Sequence, residues 1–379
     1  MKSILMIHQS SELYGSDKTF LSLVKYFIKF KVNVIAVIPS NGPLEIELLN
    51  VGATVIIRPI LKAQRSMFSI KTLFYLFKSF LSSLFFYNSL IKNKKINYVY
   101  SNTIAVLDGA IIKLISKEKV KHIWHIHEIL EDLGFFNKIY GHMIGQYADL
   151  VITNSKATKH YVERLTCKSE ICVIYNGIDP TPYKNTKEPT NKKNKGDRLV
   201  IGLVGRMNDW KGHCLLLKAF ELIDIDEMNL KIIFKGSPSP SKAGYAEILQ
   251  SISNNRYREN IEIVSFQKDP ATVWSDIDIC VVPSTKPEPF GLVVIEAMAA
   301  RIPVIAANHG GPSELIDDEV TGFLFTPNNA ESLAACIEKS IANFDKIGAM
   351  VDAAERNVLT NYTEKVFAEK THAAIISAR

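Results

Sequence analysis

Two glutamates stand in the string Glu288-Pro-Phe-Gly-Leu-Val-Val-Ile-Glu296, with seven residues between them. An apolar run ends at Pro283, and two further prolines, Pro287 and Pro289, shape the loop that presents Glu288. A helix is predicted to begin near Phe290 or Gly291. Its first backbone N–H groups, around Gly291, Leu292 and Val293, have no acceptor inside the helix and lie at the positive end of its dipole, which suits a phosphate or a sugar oxygen. A carboxylate beside such a site accepts hydrogen bonds from vicinal hydroxyls, as a ribose or hexose supplies them. Either glutamate alone reads as readily as a residue of an amphipathic helix; the whole string does not.

Arg206 and Lys211 follow the apolar run Leu199–Val204. Two cations at a strand end can neutralise a departing diphosphate. Gly202 and Gly205 leave room for the turn to approach a ligand, although the Gly-x-Gly-x-x-Gly dinucleotide fingerprint is absent. Gly310-Gly311, after the run Pro303–Ala307, reads as another close approach of backbone to a ligand, and Pro312 suits the first turn of the next helix. Earlier in the chain, His125 and His127 share one face by the two-residue strand period, with His127 at the carboxyl end. A third ligand at zinc spacing is not identifiable, so no metal site is expected. Gly15-Ser16-Asp17 follow the first apolar run, where Gly15 can shape a turn.

These residues need elements to hold them. Seven short apolar runs, from Ile4–His8 to Ile171–Tyr175, alternate with helix-like stretches, and six more follow from Leu199–Val204 to Gly322–Thr326. Continuous apolar strands of this kind belong to parallel sheets covered on both faces. The expected architecture is α/β, with two doubly wound Rossmann-like domains facing a central cleft. The boundaries read 1–180 for the first domain and 198–362 for the second. Between them lies a Lys-rich linker, 181–197, in a stretch carrying Pro180, Pro182 and Pro189. A last helix is predicted over 363–379. Ligands of such sheets bind beyond the carboxyl ends of the strands, where the residues above fall.

Bulk composition excludes little. The 379 residues carry 47% hydrophobic and 22% charged side chains and a net charge of +6, ordinary for a globular protein and mild enough not to demand nucleic acid. No nucleic-acid motif is present. Five cysteines without a Cys-x-x-Cys pair suit a reducing cytosol. The opening apolar run, Ile4–Ile7, is too short for a signal-peptide core. The stretch Met67–Ile91 is apolar over a broad arc and ends in Lys92-Asn-Lys-Lys95. It reads either as a buried domain helix or as a helix lying on an anionic membrane surface, which would make 67–95 a peripheral contact. Lys78 and several serines count against a membrane span.

The spacing of Glu288 and Glu296 resembles the paired-glutamate motif of the retaining glycosyltransferases called group 1 or family 4. That resemblance covers nearly the whole chain, with specific motifs in the C-terminal half. It implies the GT-B fold and transfer of a hexose-type sugar from a nucleoside diphosphate sugar to a saccharide or lipid-linked saccharide acceptor, as in cell-surface polysaccharide or glycolipid synthesis. By the resemblance Glu288 contacts the donor sugar, Glu296 holds the ribose, and Gly291 to Val293 with Arg206 and Lys211 hold the diphosphate. His127 resembles the cleft histidine near the reacting sugar. Gly15-Ser16-Asp17 lie where the family places a glycine-rich loop beside the donor phosphates and the acceptor, although Gly15-Ser16 departs from the commoner Gly-Gly pair and Gly15 reads equally well as a residue that only shapes a turn; the segments 236–240 and 310–313 are expected to read the donor sugar. Asn176-Gly177-Ile178-Asp179 resembles the crossing between domains, and the last helix is expected to return to the first domain. The resemblance further implies a donor held mainly by the second domain, an acceptor held by the first, a cleft whose closure excludes water, and neither cofactor nor metal. Two rivals stand: a nucleotide-sugar-binding protein without turnover, and a sugar-nucleotide epimerase of the same fold.

Overall fold

The computed structural model describes residues 3–61, 70–116, 119–130, 134–166, 170–183, 198–239, 242–344 and 347–378. The chain forms two compact units, Met1–Gly177 with Glu364–Arg379, and Ile178–Thr363. The first unit runs β1 (Ser3–His8), α1 (Gly15–Lys29), β2 (Asn33–Ile38), α2 (Pro43–Asn50), β3 (Thr54–Ile57), α3 (Ile70–Lys94), β4 (Tyr98–Asn102), α4 (Asp108–Ser116), β5 (Lys121–Ile126), α5 (Phe135–Tyr147), β6 (Leu150–Thr153), α6 (Lys156–Leu165) and β7 (Glu170–Val173). The second runs β8 (Leu199–Val204), α7 (His213–Glu221), α8 (Ile225–Met228), β9 (Leu230–Lys235), α9 (Lys242–Asn254), β10 (Ile261–Val264), α10 (Pro270–Trp274), β11 (Ile279–Val282), α11 (Leu292–Ala299), β12 (Val304–Ala307), α12 (Pro312–Leu315), β13 (Phe323–Phe325), α13 (Ala330–Ala342) and α14 (Ile347–Asn361). The final helix, α15 (Glu364–Ser377), packs on α1 in the first unit, where Phe367 and Ile375 are buried.

Seven strands in the order β3-β2-β1-β4-β5-β6-β7 make one sheet, and six in the order β10-β9-β8-β11-β12-β13 make the other. All described pairings between these strands are parallel. Both sheets are therefore doubly wound, as the apolar runs predict. The central strands β1, β11 and β12 are buried along their whole length. Each buried aliphatic side chain there contributes about 1.5–3 kcal/mol, so the sheet centres are rigid platforms for the loops that leave them. In each sheet the winding reverses at one place, between β1 and β4 and between β8 and β11. Loops leaving the carboxyl ends of those strand pairs diverge, which opens a crevice for ligands.

The passages between units lie side by side: Ile178 bridges Thr363 in parallel, and Ile178 N–H donates to Tyr362 O at 2.9 Å. Of the linker 181–197, Thr181–Tyr183 forms a 3-10 turn, and 184–197 lie outside the described residues. Residues 67–69 of the broad apolar stretch also lie outside them. From residue 79 on, α3 is two-faced. Ser83 and Tyr87 are buried, with Phe86, Leu90 and Ile91 packed against the core of the sheet, while Phe85 is 76% exposed and Leu81 37%. Among the described residues no helix is long and apolar enough to cross a membrane.

Candidate active site

In the second unit the crevice between β8 and β11 brings together the cation and the carboxylate singled out above, which lie 77 residues apart in sequence. Lys211 Nζ is 2.6 Å from Glu288 Oε1, with the two side chains only 15% and 11% exposed. Lys211 sits in the turn between β8 and α7, its ammonium 4.6 Å from the centre of the Trp210 ring. Asn208 shapes that turn, its Oδ1 accepting from the N–H groups of Trp210 and Lys211. The turn is tied to the β11 loop by Thr285 N–H donating to Trp210 O at 2.8 Å. Arg206, at the mouth of the same turn, is exposed.

Glu288 is held at three points. Ser284 Oγ donates to its Oε2 at 2.9 Å, Lys211 to its Oε1, and its own carbonyl accepts from Gly311 N–H at 2.7 Å. His309 Nε2 in turn meets Ser284 O at 2.7 Å, which makes this ring nitrogen the donor. A buried carboxylate gripped in this way is an oriented acceptor rather than a mobile surface acid. Nearby burial, with Glu296 and Glu288 adding negative potential, drives the Cys280 thiol far upward, so Cys280 stays protonated. On the other side, burial and then the Lys211 charge push His213 down to about 3, and it remains neutral.

The string after Glu288 folds as its residues predict. Gly291 caps α11, so Leu292 and Val293 occupy its first turn, where N–H groups have no intrahelical acceptor. Glu296 lies one turn on, half-buried. Gly310 and Gly311, expected to bring backbone close to a ligand, also have a packing role. They permit a close approach of the chain to itself: a β-carbon at Gly310 would stand 2.5 Å from Glu288 O, and one at Gly311 2.3 Å from Phe290 Cα. Their absent side chains let the β12 loop press against the Glu288 segment and fix it. Pro312 takes the first position of α12. In the segment 236–240, Pro240 lies outside the described residues.

In the first unit, Gly15, Ser16 and Asp17 form the first turn of α1 rather than a loop. Asp17 is buried: its Oδ2 accepts from Tyr14 N–H at 2.7 Å, and its Oδ1 lies 2.5 Å from His8 Nε2. It is therefore committed inside the fold, because a carboxylate there must be paired. His127 follows β5 and is also buried, its Nε2 2.9 Å from Asn102 Oδ1. Burial and then the neighbouring His8 push its pKa down to about 3. His125 lies beside it, ring centres 3.8 Å apart, with Tyr100 Oη against its Nδ1. Burial holds His125 well below its ordinary range, and His127 adds to the effect. Among the described residues no three His, Cys, Asp or Glu side chains are grouped to hold a metal.

Sequence reasoning overlooked Ser284, His309, Trp210, His8 and Asn102. Position was the available signal: Ser284 directly follows the apolar run of β11, four residues before Glu288, and His8 and Asn102 end β1 and β4.

A description of group 1 glycosyl transferases matches residues 184–357, and one of glycosyltransferase family 4 matches 15–181. An uncharacterized glycosyltransferase of Methanocaldococcus jannaschii is 30% identical over 232 residues, 58% of each chain. A lipopolysaccharide 1,2-N-acetylglucosaminetransferase of Salmonella typhimurium is 26% identical over 59% of this chain and 60% of its own. The chain thus spans about three-fifths of the length of these relatives. The crystal structure of Anabaena Alr3699/HepE in complex with UDP and glucose superposes with a TM-score of 0.81 at 24% identity, over 99% of both chains, and it shares the fold. With matching descriptions that together run from residue 15 to residue 357 and a fold shared end to end, the chain belongs to the group 1/family 4 glycosyltransferases, which have the GT-B fold.

Proposed function

We propose that this protein transfers a hexose-type sugar from a nucleoside diphosphate sugar to a saccharide or lipid-linked saccharide acceptor, with retention at the sugar carbon, in cell-surface polysaccharide or glycolipid synthesis. The observation that carries the reading is the Lys211–Glu288 pair at the β8/β11 crevice, braced by Ser284 and by the β12 loop. Lys211 has three N–H donors and gives one to Glu288 Oε1. The other two serve the diphosphate, together with Arg206 and the first-turn N–H groups at Gly291, Leu292 and Val293. Glu288 accepts from hydroxyls of the donor sugar, and Glu296 from the ribose.

In the reaction the bond from the sugar carbon to the diphosphate oxygen breaks. The acceptor hydroxyl bonds to the same face of that carbon, and its proton passes to the departing diphosphate. Charge on the leaving group is balanced by Lys211, Arg206 and the α11 dipole; this chemistry requires no cofactor and no metal. The family's retaining character and the shared fold with a UDP- and glucose-bound protein support the choice of donor and stereochemistry. In the first unit, neutral His127 contacts the reacting sugar. The helix α3, with exposed Phe85 and Leu81 and the basic tail Lys92, Lys94 and Lys95, rests on an anionic cytoplasmic membrane face where lipid-linked acceptors lie. Flotation with anionic vesicles tests this contact: Phe85→Glu/Leu81→Ser should stay unbound, and flotation equal to wild type would sink the membrane reading.

The test of the activity is nucleoside diphosphate release from a panel of UDP-, GDP- and ADP-sugars, with Glu288→Ala and Lys211→Ala beside wild type. Slow hydrolysis of one donor, lost in both variants, is the expected result. Donor binding without release, even with saccharide acceptors supplied, would favour a binding protein; isomerisation of the donor sugar would favour an epimerase. Failure to bind any donor in calorimetry would defeat the proposal.

A further inference from the structure

Four side chains of the first unit form a hydrogen-bonded chain that reaches from α1 to the end of β5. Asp17 Oδ1 is 2.5 Å from His8 Nε2, His8 Nδ1 is 2.8 Å from Asn102 Nδ2, and Asn102 Oδ1 is 2.9 Å from His127 Nε2. The sheet register builds it. His8 and Asn102 are direct partners at the carboxyl ends of β1 and β4, and Asn102 is the partner of His125 on β5. His127 comes two residues later, on the same face. Phe20 stacks on the His8 ring at 4.8 Å, and His8, Asp17 and Asn102 are at most 1% exposed.

The chemistry of each atom sets the direction of the chain. An amide nitrogen only donates, so His8 Nδ1 accepts, and His8 must carry its proton on Nε2 and give it to Asp17. An amide oxygen only accepts, so His127 carries its proton on Nε2. The lone pair of His127 therefore resides on Nδ1. The geometry points to Asp17, His8 and Asn102 as a positioning relay that locks His127 in the Nε2–H form, so that its Nδ1 accepts a hydrogen bond from a sugar hydroxyl. The identity of the hydroxyl as a sugar's rests on the function proposed above; the tautomer does not. Asn102 is the directional element. With its amide reversed, His127 would keep its proton on Nδ1 and become a donor, and His8 would have to be doubly protonated. The anchor is Asp17, itself fixed by Tyr14 N–H at 2.7 Å.

The test uses full-length protein labelled with 15N-histidine and long-range proton–nitrogen correlation at neutral pH. The expected spectrum shows His8 and His127 both as Nε2–H tautomers. In Asn102→Leu, His127 should become a mixture of tautomers, and kcat for nucleotide release should fall at least about tenfold with the donor KM within about twofold. Asp17→Ala, which removes the acceptor that fixes the His8 proton on Nε2, should likewise give a mixture of His127 tautomers and the same loss of kcat, and it carries the test if Asn102→Leu does not fold. A wild-type His127 protonated on Nδ1 would overturn the relay, as would unchanged tautomer and kcat in the variants. If His127 shows the Nε2–H form and loses it in Asn102→Leu while no donor is turned over by wild type, the relay stands and the proposed function fails.

Discussion

Replacing Lys211 by Met removes the ammonium and keeps the aliphatic stem beside Trp210. Losing one partner of a buried pair costs about 3–5 kcal/mol, because the other charge stays desolvated without compensation. The Glu288 side chain is 11% exposed and that of Lys211 15%. Some water screens the remaining carboxylate, and Ser284 still donates to it, so the cost belongs at the lower end, about 3 kcal/mol. Glu288→Gln leaves an amide oxygen for the ammonium and should cost about 1.5 kcal/mol. The double variant restores neutrality and should cost about 2 kcal/mol rather than the sum near 4.5, a coupling of about 2.5 kcal/mol. Urea titration followed by tryptophan fluorescence reads this in the full chain, since Trp210 and Trp274 lie in the second unit and Trp124 in the first. In heating experiments Lys211→Met should lower the transition of the second unit by about 6–12 °C, at 2–4 °C for each kcal/mol. Both single variants should weaken nucleoside diphosphate sugar binding. Costs additive to within about 0.5 kcal/mol would refute the reasoning, because they would mean that the 2.6 Å contact carries no energy of its own.

Gly212 has φ +81°, and a β-carbon there would lie 1.8 Å from Pro283 O. Gly212→Ala should therefore destabilise the second unit by more than about 3 kcal/mol and reduce donor binding, measured by urea titration and calorimetry; near-wild-type values would show that the β8–α7 turn is not pressed on β11. Stability should also depend on acid. Burial lowers His122 to about 4 and His127 and His213 to about 3, and His125 shifts in the same direction. Their stabilisation is complete above the unfolded value near 6.5 and is lost as pH falls toward the folded values, since the unfolded chain then binds more protons. Glu128, raised by burial to about 7, and the raised Asp108 act in the opposite sense, giving up stability as pH rises. With four rings against two carboxyls, denaturant stability should fall by at least about 1.4 kcal/mol per pH unit between pH 6 and 4.5. A flat or rising profile would contradict these burials.

What was legible in the sequence was local. Apolar runs such as Leu199–Val204 and Tyr98–Asn102 coincide with β8 and β4 because a strand buried on both faces of a parallel sheet requires continuous apolar residues. The helix after Glu288 was legible because a glycine cap and a run of helix-compatible residues are contiguous. The turn holding Arg206 and Lys211 could be read because it comes directly after its strand. Gly15-Ser16-Asp17 was misjudged as a loop, since its helical start depends on Asp17 reaching His8 and the Tyr14 amide. Which loops meet depends on strand order and register, and hydrophobic periodicity is the same for every order of parallel strands. Tertiary structure alone therefore decided that Lys211 meets Glu288 across 77 residues, that Gly310 and Gly311 pack on the Glu288 segment, and that His8 meets Asn102 across 94 residues. The sequence supplied the acids, bases and strands by itself; the reversal of winding at β1/β4 and β8/β11 decided which of them became neighbours.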